Sequence, residues 1–107
     1  MTEPAFDMSM IVALYKEDAR QSVADMYQAL ERWPEMTSGG PACGAMRKLS
    51  HQLRGSGRTY GFSDVTRISK AIENIMIKLE RKTLTADAAV QTSLRKKIDR
   101  LAAAFKD

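Results

Sequence analysis

The sequence predicts an all-α protein, an antiparallel up-down four-helix bundle with a short extra N-terminal helix. Three observations support this fold class. Residues that favour helix dominate the chain, and β-branched residues never cluster in an alternating run. Apolar residues recur at the three-and-four spacing of amphipathic helices. The segments between these stretches are short, as is typical of antiparallel neighbours in a bundle.

The first two predicted helices precede Pro34. Pro4 suits the first turn of a helix, and the apolar residues from Phe6 to Ala13 predict a short opening helix. A longer helix follows and ends before Pro34. Its apolar stripe consists of Ala19, Val23, Met26, Leu30 and Trp33. The segment Pro34–Pro41 contains the Gly39-Gly40 pair and predicts a loop.

Three more helices are expected. The third is predicted from Ala42 to Tyr60, with Gly61 ending it. Ser63 and Asp64 offer an N-cap for the fourth, and Asp87 helps to start the fifth. The apolar stripe of the fourth is Val65, Ile68, Ile72, Ile75, Met76 and Leu79. That of the fifth is Val90, Leu94, Ile98, Leu101 and Phe105.

Composition limits the possible functions. The apolar fraction of 44% and the charged fraction of 28% are typical of a globular chain, and we expect one domain over residues 1–107. No stretch approaches the ~18 apolar residues of a membrane span, so no membrane association is expected. The single cysteine, Cys43, favours a reducing, cytoplasmic location. The net charge of +4 is compatible with binding to nucleic acid, with binding to an acidic protein, or with no particular partner.

The third predicted helix contains the only histidine, His51. At about 100° per residue, the side opposite His51 holds mainly apolar residues and must face the core. That side consists of Met46, Leu49, Leu53, Ser56 and Tyr60. The residues within about 60° of His51 are Arg47, Lys48, Arg54, Gly55 and Arg58. We therefore predict that His51 projects into solvent from a basic patch.

Gly55 is the unexpected residue on this exposed face. A glycine inside a helix costs about 0.5–1 kcal/mol relative to alanine. Helix packing can explain Gly57, which leans toward the core, but not Gly55, which points outward. A bare surface beside an exposed imidazole lets a reactive group come close. Because imidazole is a nucleophile and the neighbouring cations suit phosphate oxygens, the pattern favours phosphoryl chemistry. An inert histidine on a solvated basic face is the alternative.

The run His51-Gln-Leu-Arg-Gly-Ser-Gly-Arg-Thr-Tyr-Gly-Phe62 resembles the signature of histidine-containing phosphotransfer (HPt) domains, including those of chemotaxis-type histidine kinases. That signature is His, any residue, an aliphatic residue, Lys or Arg, Gly, two small residues, two variable ones, an apolar residue and Gly. The positions that fit are Leu53, Arg54, Gly55, Ser56, Gly57, Tyr60 and Gly61. A weaker similarity covers the whole chain and includes Ile68–Glu73.

The resemblance implies an intermediate phosphoryl carrier of a two-component phosphorelay. His51 would accept phosphate from the phospho-aspartate of a receiver domain, or from a kinase, and pass it to a response regulator. The Mg²⁺ of such transfers belongs to the receiver, so no cofactor or metal of this chain's own is expected. We expect a monomer whose docking patch includes His51, Gly55, Arg47 and Lys48 and faces an acidic partner pocket.

The resemblance also implies supporting roles. Arg54 takes the place of the family's usual lysine near the phosphate, and Gly55 keeps the face open. Glu73 matches a carboxylate that chemotaxis histidine kinases place against the other ring nitrogen, where it would fix the tautomer. The alternative is a surface glutamate paired with Lys70. Arg58 occupies a position that is often small, and we expect it to affect partner choice or phosphohistidine lifetime.

Other functions fit the sequence less well. No Gly-Lys-Ser/Thr follows the glycines, so we expect a carrier without an ATP site and not an enzyme. A helical nucleic-acid-binding module would explain the pI of about 9.4, and a helical adaptor would explain the bundle. Neither explains Gly55 beside an exposed histidine, so no nucleic-acid partner is expected. We expect a freestanding carrier, with a fragment of a larger kinase as the alternative.

Overall fold

The computed structural model describes residues 8–37 and 40–106, without the side chain of Thr37. Five helices occupy these ranges and no strand occurs in them, which confirms the all-α prediction. The helices are α1 (Met8–Glu31), α2 (Trp33–Thr37), α3 (Pro41–Thr59), α4 (Ser63–Glu80) and α5 (Ala88–Ala104).

The four long helices form an antiparallel bundle, and the short α2 connects α1 to α3. The helix α3 packs against α1 and α4, and α5 packs against the same two helices. Two hydrogen bonds join α1 to the C-terminal end of α5: Nε of Arg20 donates to the backbone carbonyl of Phe105, and the hydroxyl of Tyr27 donates to Asp99. Because the later residue of α1 pairs with the earlier residue of α5, the two helices run in opposite directions. It follows that α5 lies diagonally opposite α3, on the far side of the bundle.

The apolar stripes of the long helices form one core. Full burial of a Leu, Ile or Met side chain contributes about 1.5–3 kcal/mol, so these stripes determine which face of each helix points outward. The largest fully buried side chains include Met26, Leu30, Met46, Ile72, Met76, Leu94, Ile98, Leu101 and Phe105. Within the described ranges, no helix combines the length and the apolar character that crossing a bilayer requires.

The turn between α3 and α4 brings these two helices close together. Gly61 has φ of +80°, a left-handed conformation that favours glycine, and it follows the end of α3 as predicted. The N–H of Phe62 donates to the carbonyl of Gly57 at 2.7 Å. The N-cap prediction is wrong, because α4 already begins at Ser63, Phe62 takes the cap position and no side chain caps it.

The N-terminal half differs from the sequence prediction in two places. Met8–Glu31 is one continuous helix, since no proline or glycine interrupts it, and the described part of the predicted opening helix forms its first six residues. Pro4 and Phe6 lie outside the described residues. The predicted loop Pro34–Pro41 instead begins within α2, because a proline is tolerated in the first turn of a helix.

Candidate functional site

The helix α3 places His51 on the outer surface of the bundle. On the opposite face of the helix, Met46 is fully buried and Leu53 is 3% exposed. The His51 side chain itself is 66% exposed. The predicted orientation of the imidazole is therefore the observed one.

A carboxylate on α4 contacts the His51 ring. Oε2 of Glu73 lies 2.6 Å from Nδ1 of His51, and Glu73 is buried. Because an ionised carboxylate can only accept hydrogen bonds, Nδ1 carries the proton and donates it. In the neutral ring the lone pair then lies on Nε2, to which no described side chain is bonded. The contact thus selects one tautomer and leaves Nε2 available to react.

Arg54 compensates the charge of this buried carboxylate. Its Nη1 donates to Oε1 of Glu73 at 2.6 Å, so both oxygens of Glu73 have a partner. A buried carboxylate without such partners would be strongly destabilising. Glu73 is therefore a buried bridge between His51 and Arg54, and not the surface glutamate paired with Lys70 that the alternative interpretation supposed.

The two glycines that follow His51 differ in their surroundings. A Cβ on Gly57 would lie 2.9 Å from Oγ1 of Thr66 and 3.1 Å from Cγ1 of Val65, so the close approach of α4 requires glycine there. A Cβ on Gly55 would meet no atom of the described chain within 4 Å. Packing explains Gly57 and does not explain Gly55, which leaves the surface bare one turn after His51.

A groove of about 510 Å³ lies between α3 and α4 and includes His51 in its wall; we call it the α3–α4 groove. Its lining residues are His51, Arg54, Gly55, Gly57, Arg58, Gly61, Ser63, Thr66 and Lys70. Arg58 and Lys70 are exposed, and neither forms an ion pair with any residue that the structure describes. Because the lining contains three cations and no carboxylate, the groove is electropositive.

A second groove, of about 370 Å³, lies between α1 and α3; we call it the α1–α3 groove. Its lining residues are Ile11, Leu14, Tyr15, Asp18, Ala19, Ser22, Gln52, Leu53, Ser56 and Tyr60. Gln52 directly follows His51, so the histidine stands on a ridge between a largely apolar groove and a cationic one. This groove was not predicted from the sequence, although the spacing of Ile11, Leu14 and Tyr15 is a helical apolar pattern that indicates one face of α1.

Two predicted docking residues lie apart from both grooves. Arg47 and Lys48 are exposed, about one turn before His51 on α3. Nε of Arg47 donates to Oε1 of Glu80 at 2.9 Å, and this ion pair offsets much of the arginine charge. The other predicted site residues lie around the ring or in the α3–α4 groove.

A reactive cysteine and a metal site are two further kinds of functional site. Cys43 is fully buried, and this burial raises the pKa of its thiol, which disfavours the reactive thiolate. In the described part of the chain, no three His, Cys, Asp or Glu side chains come together as a metal-binding group. The imidazole of His51, in contrast, is exposed.

Comparison with known protein families gives a match over nearly the whole chain. Residues 10–104 match the family model described as Hpt domain. This range includes His51 and every other predicted site residue. Searches among curated proteins and among solved structures returned no match.

Proposed function

The chain belongs to the Hpt domain family, whose members carry phosphoryl groups on histidine in two-component signalling, and we propose that His51 is the carrying residue. It is the only histidine among the 107 residues. The observation that carries this proposal is the 2.6 Å contact between Nδ1 of His51 and the buried Glu73. That contact leaves Nε2 of an exposed ring with a free lone pair.

The proposed reaction is a displacement at phosphorus. Nε2 of His51 attacks the acyl phosphate on an aspartate of a receiver domain. The Nε2–P bond forms while the P–O bond to the aspartate breaks, and the carboxylate leaves with the bonding electrons. The imidazole ring becomes cationic and keeps its Nδ1 proton, and the Glu73 carboxylate stabilises this positive charge. The reverse steps pass the phosphoryl group to an acceptor.

We assign supporting roles to the cations around the ring. Arg54 and Arg58 follow His51 on α3 by about one and two turns and line the same groove. Their guanidinium groups suit the oxygens of a transferred phosphoryl group. Lys70 contributes positive charge from α4. Any Mg²⁺ in the transfer would belong to the receiver partner.

We propose that a receiver domain docks across the ridge that carries His51. Its acidic phosphorylation pocket would face the α3–α4 groove, where the charges are complementary. An apolar surface beside that pocket would cover the α1–α3 groove, as an interface core requires. The open surface at Gly55 admits the partner's loops, and Arg47 and Lys48 would lie at the rim of the interface.

The source and the destination of the phosphoryl group are part of the same proposal. The donor is a receiver's phospho-aspartate or a kinase, and the acceptor is a response regulator. The chain acts as a carrier and depends on ATP bound elsewhere, since its sequence contains no Gly-Lys-Ser/Thr phosphate loop. The lone, buried Cys43 supports a cytoplasmic location.

The test is transfer of a radiolabelled phosphoryl group from a panel of phosphorylated receiver domains. We expect acid-labile label on the wild type and none on His51→Gln. Because the His51 side chain is exposed, this variant should fold normally. Lys96→Gln, on α5 across the bundle, is the matched control and should accept label like the wild type. Label on His51→Gln, or no transfer from any receiver or kinase, would contradict the proposal.

A further inference from the structure

We propose that the α3–α4 groove also binds small phosphoryl donors and that His51 takes a phosphoryl group from them without a partner protein. These donors carry an anionic phosphoryl group that is bonded to a leaving group able to depart without acid catalysis. Phosphoramidates and acyl phosphates are donors of this kind. The inference rests on the proposed function for the identity of the nucleophile. It goes beyond that function because a free small molecule takes the place of the receiver.

The charge of the groove supports binding of a doubly charged phosphoryl group. Arg54, Arg58 and Lys70 line it, and no carboxylate does. Arg54 is paired with Glu73, while Arg58 and Lys70 have no ion-pair partner among the residues described. Two uncompensated cations thus match the two negative charges of the donor's phosphoryl group.

The space beside the nucleophile supports direct approach of such a donor. The groove has a volume of about 510 Å³, which exceeds that of a phosphoryl group with a small leaving group. The missing side chain at Gly55 leaves open space at that position, one turn after His51 on α3. The bond from Nδ1 to Glu73 holds the ring, so Nε2 needs no partner protein to select its tautomer.

The side chains of the groove also determine which donors fit. Apart from His51, its polar side chains are those of Arg54, Arg58, Lys70, Ser63 and Thr66, and none of these is a good general acid near neutral pH. A phosphate ester needs a proton on its departing alkoxide, whereas a protonated amine or a carboxylate leaves unaided. The groove therefore favours phosphoramidates and acyl phosphates over phosphate esters.

The step balances without any further reactant. In phosphoramidate the nitrogen is already protonated. The lone pair of Nε2 attacks phosphorus and forms the N–P bond, while the P–N bond of the donor breaks and ammonia leaves with the bonding pair. The Nδ1 proton stays between the ring and Glu73, so the product is a phosphoryl-imidazolium that keeps this contact. With acetyl phosphate, acetate leaves in the same way.

In the test, the 107-residue chain is incubated with phosphoramidate, acetyl phosphate or phosphoserine, and phosphohistidine is followed by phosphorus NMR. We expect one or both of the first two to give a rate that saturates with donor concentration and that inorganic phosphate inhibits. Phosphoserine should not react. Arg58→Gln/Lys70→Gln removes two exposed cations, and because each exposed ion pair contributes only modestly, the half-saturating donor concentration should rise about tenfold. Lys96→Gln, outside the groove, should leave it unchanged.

Two results would overturn the inference. One is a rate that rises linearly with donor and equals that of free N-acetylhistidine, because His51 would then react as any exposed imidazole does. The other is a half-saturating concentration that the double variant does not change. Receiver-dependent transfer, measured on the same preparation, separates the two proposals: its success alongside failure of the small donors removes only this inference, and its failure contradicts the proposed function.

Discussion

Glu73 contacts two residues of α3 that lie one helical turn apart. Its carboxylate oxygens are each 2.6 Å from their partners, Nδ1 of His51 and Nη1 of Arg54. At the scale of single residues, this bridge distinguishes His51 from an ordinary surface histidine, because it fixes both the tautomer and the ring orientation. We regard Glu73 as a positioning residue, since it acts through the ring and not on the phosphoryl group.

Glu73→Gln tests this role. Glutamine keeps the shape of the side chain and loses the negative charge, so we expect phosphoryl transfer to slow by about ten- to a hundredfold, as for loss of one charge-assisted hydrogen bond. Nitrogen NMR of the unphosphorylated protein should also show that His51 no longer populates one tautomer alone, a change that a purely structural role would not cause. An unchanged tautomer together with an unchanged rate would disprove the role.

Gly55 and Gly57 form a matched pair on the same helix. Gly55→Ala meets open space and should raise the free energy of unfolding by about 0.5–1 kcal/mol. Gly57→Ala meets Thr66 and Val65 and should lower it by about 1–3 kcal/mol. Urea unfolding measures both changes.

The larger substitution Gly55→Gln tests whether the open surface matters for transfer. This variant should fold stably yet accept a phosphoryl group from a receiver more slowly. Normal transfer in this variant would mean that the bare surface has another purpose.

At the scale of secondary-structure elements, the sequence predicted best what depends on local pattern. The helix α3, predicted over 42–60, is observed over 41–59, and the side chain of Asp87 caps α5 by accepting from the N–H of Val90 at 3.0 Å. Contacts between helices are less accessible to pattern. The Glu73 contact joins residues 22 positions apart and was implied only by family resemblance. The α1–α3 groove depends on how two helices pack, which periodicity alone does not specify.

The pairing of α1 with α5 includes a titratable contact. The hydroxyl of Tyr27 donates to Oδ1 of Asp99 at 2.5 Å, and desolvation, followed by this carboxylate, raises the pKa of Tyr27 to about 12. A pKa above the usual 10.0 means that the neutral phenol stabilises the folded state below pH 10.0. That contribution is lost as the pH rises toward 12.

Tyr27→Phe isolates this contribution. Between pH 10 and 12 the free energy of unfolding of the wild type should fall more steeply with pH than that of Tyr27→Phe, because only the wild type must ionise a phenol whose folded pKa is raised to about 12. Urea unfolding at several pH values gives both slopes, and the lysines contribute equally to each. Equal slopes would show that the Tyr27–Asp99 bond does not persist in solution.

At the scale of the whole molecule, the bundle holds His51 on a ridge between two unlike surfaces. The core packs the apolar face of α3 and so directs His51 outward, while α4 supplies the buried Glu73 and one cation of the α3–α4 groove. The helix α1 supplies the apolar wall on the other side. The two neighbours of α3, the helices α1 and α4, thus contribute different parts of the same surface, and α5, across the bundle, completes the core.

The most direct measurement is the position of the phosphoryl group on the protein after reaction with a phosphorylated receiver domain. With isotope-labelled histidine nitrogens, the coupling between phosphorus and nitrogen identifies the bonded atom. We predict a single acid-labile phosphoryl group on Nε2 of His51, with Nδ1 still protonated and bonded to Glu73. A phosphoryl group on Nδ1, or on any residue other than His51, would contradict the account.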